Sequence, residues 1–297
     1  MKNNMAPLVS IVIPTYNRVK ELERALMSVL SQSYSNWEAI VVDNYSIDNT
    51  EKMVGILNDP RIKIHKIHNK GIIAASRNVG IKCAMGKYIA FLDSDDWWLS
   101  IKLEQSVIYL EQGHDVVYHD LFLVRRNNQR FFLRKTKSRR LVTPVFDDLF
   151  FKGNALSNSS VVVRREVLEN ISGFSEERKF IAIEDYEGWL RIAKITNKFK
   201  KIPKTLGYYW IGGGNTSGLE RTINVTEAIQ AAYVNETLGA NCKNLQYFDY
   251  VKGRVYFKLG NKLESKIYLK NISLNKNFPT MLYLKSKIML FLLKLKF

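Results

Sequence analysis

Three carboxylates fall within four residues at the end of a short apolar run, in KYIAFLDSDDWW from Lys87 to Trp98: Asp93, Asp95 and Asp96. Carboxylates two residues apart in one loop offer oxygen ligands suited to a hard divalent cation, Mn2+ or Mg2+. A cation held there can in turn hold a diphosphate. The plainer reading makes Asp95 or Asp96 the cap of a helix starting near Trp97. Three carboxylates exceed what a cap uses, and their repulsion asks for a compensating charge. A second acidic pair, Glu184 and Asp185, precedes an apolar-periodic stretch holding Trp189, Leu190 and Ile192. Such a pair is favoured at a helix N-terminus by the helix dipole.

These groups need elements to carry them, and the first half of the chain alternates strands with helices. Val9 to Ile13 is a continuous β-branched run, and Arg18 to Gln32 places Val19, Leu22, Leu26, Val29 and Leu30 on one helical face. Glu38 to Val42 leads into a helix over 48–57 that Asp48 or a neighbour can cap; Ile62 to Ile67 leads into a helix over 72–84; Tyr88 to Leu92 leads into a helix over 98–112. This alternation predicts an α/β fold with a mostly parallel sheet flanked by helices. A further strand is expected within NALSNSSVVV, Asn154 to Val163, and basic helical stretches follow from about residue 221.

In open sheets of this class ligands bind beyond the carboxyl ends of the strands. The polar loops fall there: Pro14 to Arg18, Asp43-Asn44, Asn69 to Gly71 and Asp93 to Asp96. The first loop, PTYNR, has no glycine, which excludes the dinucleotide fingerprint, and the chain contains no G-x-x-x-x-G-K-[ST] phosphate loop. A metal on the aspartates is the available substitute for a backbone phosphate cradle.

The net charge of +17 sits in two places: residues 125–140 carry +8 and residues 241–297 carry +10, leaving about −1 elsewhere. Each is either a solvated face or a surface for anionic lipid or a phosphorylated acceptor. A polyanion- or nucleic-acid-binding protein would use the charge and leave the aspartates idle, so no nucleic-acid partner is expected. Cys83 and Cys242 lie far apart and the N-terminal residues lack a cleavable apolar segment, which points to the cytoplasm.

The ordered motifs IVIPTYNR, VVDNYSIDNT and NKGIIAASRNVGIKCAMGKYIAFLDSDDWW resemble the N-terminal half of family-2 glycosyltransferases of the GT-A fold, over about residues 7–220. The resemblance implies an inverting transfer of one sugar from a UDP-sugar to a hydroxyl of a glycan acceptor, lipid-linked, in surface polysaccharide synthesis. It places Pro14, Thr15 and Asn17 at the nucleotide pocket, Asp43 on the uracil, Arg77 near the nucleotide, Asp93 with its neighbour Ser94 on the ribose side, and Asp95 on the metal. Of the Glu184-Asp185 pair it makes Asp185 the general base. It implies a catalytic domain over 1–220, with a nucleotide half to about 120 and an acceptor half beyond, and a basic helical region over 221–297. A sugar nucleotidyltransferase shares a similar sheet but begins with a glycine-rich loop absent here.

Two departures matter. Trp210 and Gly212 of GYYWIGGGNTSG stand where relatives carry arginine and histidine, which removes a third metal ligand, and Gly212 to Gly214 read as either a mobile loop or an ordinary connection. Processive relatives carry a Gln-x-x-Arg-Trp motif and several membrane spans. Neither is found, and Ile288 to Leu293 is far short of the roughly 20 apolar residues that cross a bilayer. The lysine-flanked C-terminus suits either peripheral contact with an anionic membrane or packing on the catalytic domain or a second copy in a homodimer.

Overall fold

The computed structural model describes residues 6–125, 134–136, 138–212, 219–237, 246–273 and 280–295. It divides into two compact units: Met1–Leu149 with Asn154–Asn215, and Phe150–Gly153 with Thr216–Phe297. Most of the expected basic segment over 125–140, and the glycines Gly213 and Gly214, lie outside the described residues.

In the first unit the opening alternation forms as β1 (Val9–Thr15), α1 (Val19–Leu30), β2 (Trp37–Asp43), α2 (Thr50–Leu57), β3 (Ile62–Lys66), α3 (Ile73–Cys83) and β4 (Tyr88–Phe91). These strands run parallel in the order β3-β2-β1-β4, so their carboxyl ends share one edge, with Thr15 in register with Asp43. β1 and β2 are buried along their whole length, as expected of apolar strands covered on both faces. Gly80 on α3 lets that helix lie directly on β1, since a Cβ there would stand 2.4 Å from a Val12 methyl carbon. Leu22, Leu26 and Val29 turn inward from α1, each stabilising by about 1.5–3 kcal/mol on burial.

Beyond β4 the sheet becomes mixed. Trp97–Trp98 form a short strand, β5, antiparallel to the later β9 (Phe199–Trp210), and the next helix, α4 (Lys102–Glu111), begins only after it. Tertiary pairing here overrides the helical periodicity read from Trp98 onward. Gly207 permits it, because a Cβ would lie 2.9 Å from the Trp97 carbonyl oxygen. β6 (Val116–Val124), β7 (Arg134–Lys135), the Val145–Leu149 part of α5 (Val145–Lys152), β8 (Val162–Arg164), α6 (Arg165–Asn170) and α7 (Glu184–Ile195) complete the unit. Of NALSNSSVVV only the end becomes β8. Asn158–Ser160 instead form a 3-10 turn, in which Ser160 donates both its N–H and its hydroxyl to the Ser157 carbonyl oxygen, the local bonding by which serine competes with a strand ladder.

Beneath β5, Lys102 is fully buried with its Nζ 3.7 Å from the Trp98 ring centroid and without a hydrogen-bond partner among the described residues. Burial holds its pKa well below the ordinary lysine value. His119 is likewise buried, with its Nδ1 2.9 Å from the Asp120 carbonyl oxygen; burial, then Lys102, push its pKa down to about 3. Because folding lowers the Lys102 pKa, the unfolded chain binds more protons below the unfolded lysine's pKa, and stability should rise with pH until that lysine titrates near 10.4. Lys102→Met is expected to raise Tm by roughly 3–8 °C at pH 7, with the gain shrinking toward pH 10. Calorimetry across that range checks it, and a lowered Tm at pH 7 would count against the account.

The second unit is helical: α8 (Leu219–Thr237), α9 (Gln246–Leu259), α10 (Lys262–Ser273) and α11 (Thr280–Leu295). Its small core comprises Tyr250, Leu269 and Ile272, with Leu282, Met289, Leu290 and Leu293 of α11 packed against them.

Candidate active site

The strand-end loops are tied to one another before any ligand is considered. Asn17 sits in the left-handed region (φ 50), which asparagine tolerates better than most residues. Its N–H donates to Ser46 Oγ at 2.8 Å and its Oδ1 accepts the Ile47 N–H at 2.8 Å, which fastens the first loop to the second. Asp43, 1% exposed, accepts the Ser46 N–H and hydroxyl. Asn44 Oδ1 accepts the Asn69 N–H at 2.9 Å and so fastens the second loop to the third. Asp48 accepts the first N–H groups of two helices, Val19 of α1 at 3.0 Å and Thr50 of α2 at 3.1 Å.

These loops enclose a cleft of about 280 Å3 whose lining includes Pro14, Thr15, Arg18, Asn44, Ser76 and Ser94. Thr15 Oγ1 is buried there without a hydrogen-bond partner among the described residues. Of the residues expected at the nucleotide, Pro14, Thr15 and Ser94 line the cleft. Asn17 and Asp43 instead build its walls, with the Asp43 carboxylate occupied by Ser46.

Behind Ser76 and Ser94 lies a buried ionic relay. Arg77 of α3, 3% exposed, donates to Asp93 Oδ1 at 2.7 Å through one arm and to Glu184 of α7 through the other. One guanidinium thereby joins two acidic motifs 91 residues apart in sequence, using the fixed fork that suits arginine to carboxylates. Burial alone would lower the Arg77 pKa; Asp93, Glu184 and Asp185 outweigh it and raise the value. Asn158 adds a 3.0 Å hydrogen bond to Asp93, and Ser159 Oγ accepts the Asp93 N–H at 3.1 Å.

The neighbouring aspartates have separate fates. Asp95, with a fifth of its side chain exposed, pairs with Arg18 at 2.8 Å. Burial, then Asp93, raise its pKa while Arg18 opposes them. Asp96 turns inward, accepting Ser159 Oγ at 2.5 Å and the Trp210 N–H at 2.8 Å, and so anchors β9. It is the structural member of the three. Among the described residues no three His, Cys, Asp or Glu side chains stand together as a closed metal site. What the edge offers is the hard oxygen donors of Asp95, whose pKa burial and Asp93 hold up and a cation would relieve. That set fits Mn2+ or Mg2+ completed by phosphate oxygens and water.

Asp185 is half-buried at the start of α7, with Oδ1 accepting the Tyr186 N–H at 2.7 Å. Burial, then Glu184, push its pKa up to about 7, with Arg77 opposing. A carboxylate with that pKa is suited to proton transfer near neutral pH. Tyr209 of β9 belongs to the same electrostatic neighbourhood: burial first, then Asp96, Asp93, Asp95 and Asp185, raise its pKa. Asn158, Ser159 and Tyr209 were invisible to motif reasoning, because serine, asparagine and strand tyrosine are common and only the fold brings them to the aspartates. Arg18 stood beside the first loop, yet nothing in sequence pairs it with Asp95.

Residues 10–172 match the family model described as Glycosyl transferase family 2. The Escherichia coli protein WfgD, a UDP-Glc:alpha-D-GlcNAc-diphosphoundecaprenol beta-1,3-glucosyltransferase, is 34% identical over 191 residues, which cover 64% of this chain and 71% of WfgD. WfaP of Escherichia coli, described by the same activity, is 30% identical over 234 residues, 75% of this chain and 86% of WfaP. Among solved structures, S. aureus TarS 1-349 in complex with UDP-GlcNAc shares the fold with a TM-score of 0.64 at 20% identity, over 96% of this chain and 88% of that one. The mannosyltransferase PcManGT from Pyrobaculum calidifontis, in complex with GDP-Man and Mn2+, does so with a TM-score of 0.56 at 16% identity, over 97% and 81%.

Proposed function

The chain belongs to glycosyl transferase family 2, and from that premise we propose that it is an inverting enzyme moving one sugar from a UDP-sugar to a hydroxyl of a lipid-linked glycan acceptor in surface polysaccharide synthesis. The observation that carries the reading is the Arg77 relay, which couples the aspartate loop at the strand edge to the Glu184-Asp185 pair. WfgD and WfaP, whose descriptions name a UDP-sugar and a lipid diphosphate acceptor, support the substrate class. On this reading residues 1–220 are the catalytic domain, with its nucleotide half to about 120 and its acceptor half beyond, and 221–297 an extension. The enzyme works at the cytoplasmic face of the membrane.

The donor lies in the cleft beside Pro14, Thr15 and Ser94, with Asn17 and Asp43 shaping the wall at the uracil and Asp93 toward the ribose. Asp95 would hold Mn2+ or Mg2+, which supplies charge neutralisation on the diphosphate. Arg77 fixes Asp93 and Glu184, and Glu184 in turn holds up the Asp185 pKa. Asp185 takes the proton of the acceptor hydroxyl as that oxygen attacks the anomeric carbon from the face opposite the departing diphosphate, so the centre inverts. Glu184, spent on Arg77, orients the pair.

Thermal-shift screening of nucleotides with and without Mn2+ tests this, followed by donor turnover with the hits. UDP with Mn2+ is expected to raise Tm by several degrees, and Asp95→Asn to weaken metal-dependent UDP binding about tenfold or more while sparing metal-free binding. No stabilisation by any nucleoside diphosphate would remove the proposal.

A further inference from the structure

α11 has two apolar faces. At about 100° per residue, Leu282, Ser286, Met289, Leu290 and Leu293 lie on one side, which packs against the core of the second unit. The opposite side carries Met281, Leu284, Ile288, Phe291, Leu292 and Leu295, each between 40% and 64% exposed, in a stripe roughly 100° wide. Lys285 borders the stripe on one flank, Lys287 and Lys294 on the other, and all three are exposed. No acidic residue lies on the helix.

A helix with only a lower face to bury has no use for a second apolar stripe, and such a surface marks a contact with something else. Charge decides what. Two copies of α11 laid together would oppose lysine to lysine with no carboxylate on the helix to answer them. An anionic bilayer answers both features, apolar side chains entering the acyl boundary while the lysines meet lipid phosphates. The helix is about 24 Å long with lysines in its middle, too short and too charged to cross a hydrocarbon core of about 30 Å. Among the described residues no helix of the protein is long and apolar enough to do so.

We infer that the Met281 to Leu295 stripe of α11 docks the protein, with the helix axis in the plane of the membrane, on an anionic lipid surface. The inference rests on the reading of an enzyme that works at a membrane face, and it specifies the segment and the lipid chemistry. It stands apart from which sugar is moved.

The test is flotation of the full-length protein with vesicles of phosphatidylcholine containing about one third phosphatidylglycerol, against vesicles of phosphatidylcholine alone. Wild type is expected to float with the first and not with the second. Leu284→Ser/Ile288→Ser/Phe291→Ser should lose binding about tenfold or more. Lys285→Gln/Lys287→Gln/Lys294→Gln, which leaves every packed side chain in place, should lose it in a salt-sensitive way and serves if the first variant misfolds. UDP thermal shift and transfer to a soluble acceptor are measured in parallel. Vesicle binding without transfer would leave this inference standing and sink the proposed activity; transfer without vesicle binding would do the reverse. Equal flotation of the variants, or sedimentation showing that the stripe holds two copies together, would overturn the docking assignment.

Discussion

Replacing Asp185 by asparagine is expected to lower sugar transfer by about 10^2 to 10^4 while changing UDP affinity less than about twofold. The asymmetry follows from position. Asp185 stands in the first turn of α7 and is not among the residues that line the donor cleft, so its loss removes a proton acceptor and leaves the nucleotide's contacts in place. Two further readouts separate a base from a residue that merely supports the fold. With its pKa held up at about 7, first by burial and then by Glu184, Asp185 is protonated below neutrality in the free enzyme, so wild-type kcat/KM should fall as pH drops below about 7. Stability runs the other way. A carboxylate whose folded pKa lies above its unfolded value near 3.9 favours the folded state at low pH, and that advantage is lost as pH rises from about 4 to about 7. Asp185→Asn should therefore raise Tm at pH 8 by a few degrees and change it little at pH 4. An inactive variant that is also less stable at pH 8 would indicate a structural role, and a variant with normal transfer would place the base elsewhere.

How much of this could be read from sequence depended on the range of the interaction. The βα repeats, the shared edge of the first four strands and the GT-A fold were legible because period-2 and period-3.6 apolar patterns are local, and because the motifs occur in fixed order. The acidic clusters were legible as clusters. Their division of labour was not: Asp96 differs from Asp95 only in facing Ser159 and the Trp210 N–H, partners 63 and 114 residues away. Trp97-Trp98 looked like the start of a helix, and β9 makes them a strand. Asn158 and Ser159 lay inside a stretch read as a strand, where their side-chain chemistry had no direction. Of α11 the sequence showed the lysines and apolar residues; that both its faces are apolar, with only one covered, required the packing of α10 and α9.

The largest loss of stability is expected at Arg77. Its two arms satisfy Asp93 and Glu184, and it moderates Asp185, so Arg77→Met leaves carboxylates near one another without their shared cation. Breaking a buried pair by removing one partner costs about 3–5 kcal/mol, chiefly as an uncompensated charge. Denaturant unfolding of Arg77→Met should show a loss of that size at pH 7 and a smaller one at acid pH, where Asp185, its pKa raised first by burial, is protonated. Arg77→Lys should recover only part of it, because an ammonium lacks the fork that reaches two carboxylates at once. Adding Glu184→Gln to Arg77→Met should return stability, a coupling that a double-mutant cycle reads directly. Catalysis supplies the independent arm. Arg77 opposes the rise of the Asp185 pKa, so in Arg77→Lys, which keeps a cation with poorer geometry, the acid limb of kcat/KM should move to higher pH. If Arg77→Met unfolds within about 1 kcal/mol of wild type, the relay is not what joins the aspartate loop to α7. If the acid limb stays in place in Arg77→Lys, the group titrating there is not the carboxylate that Arg77 restrains.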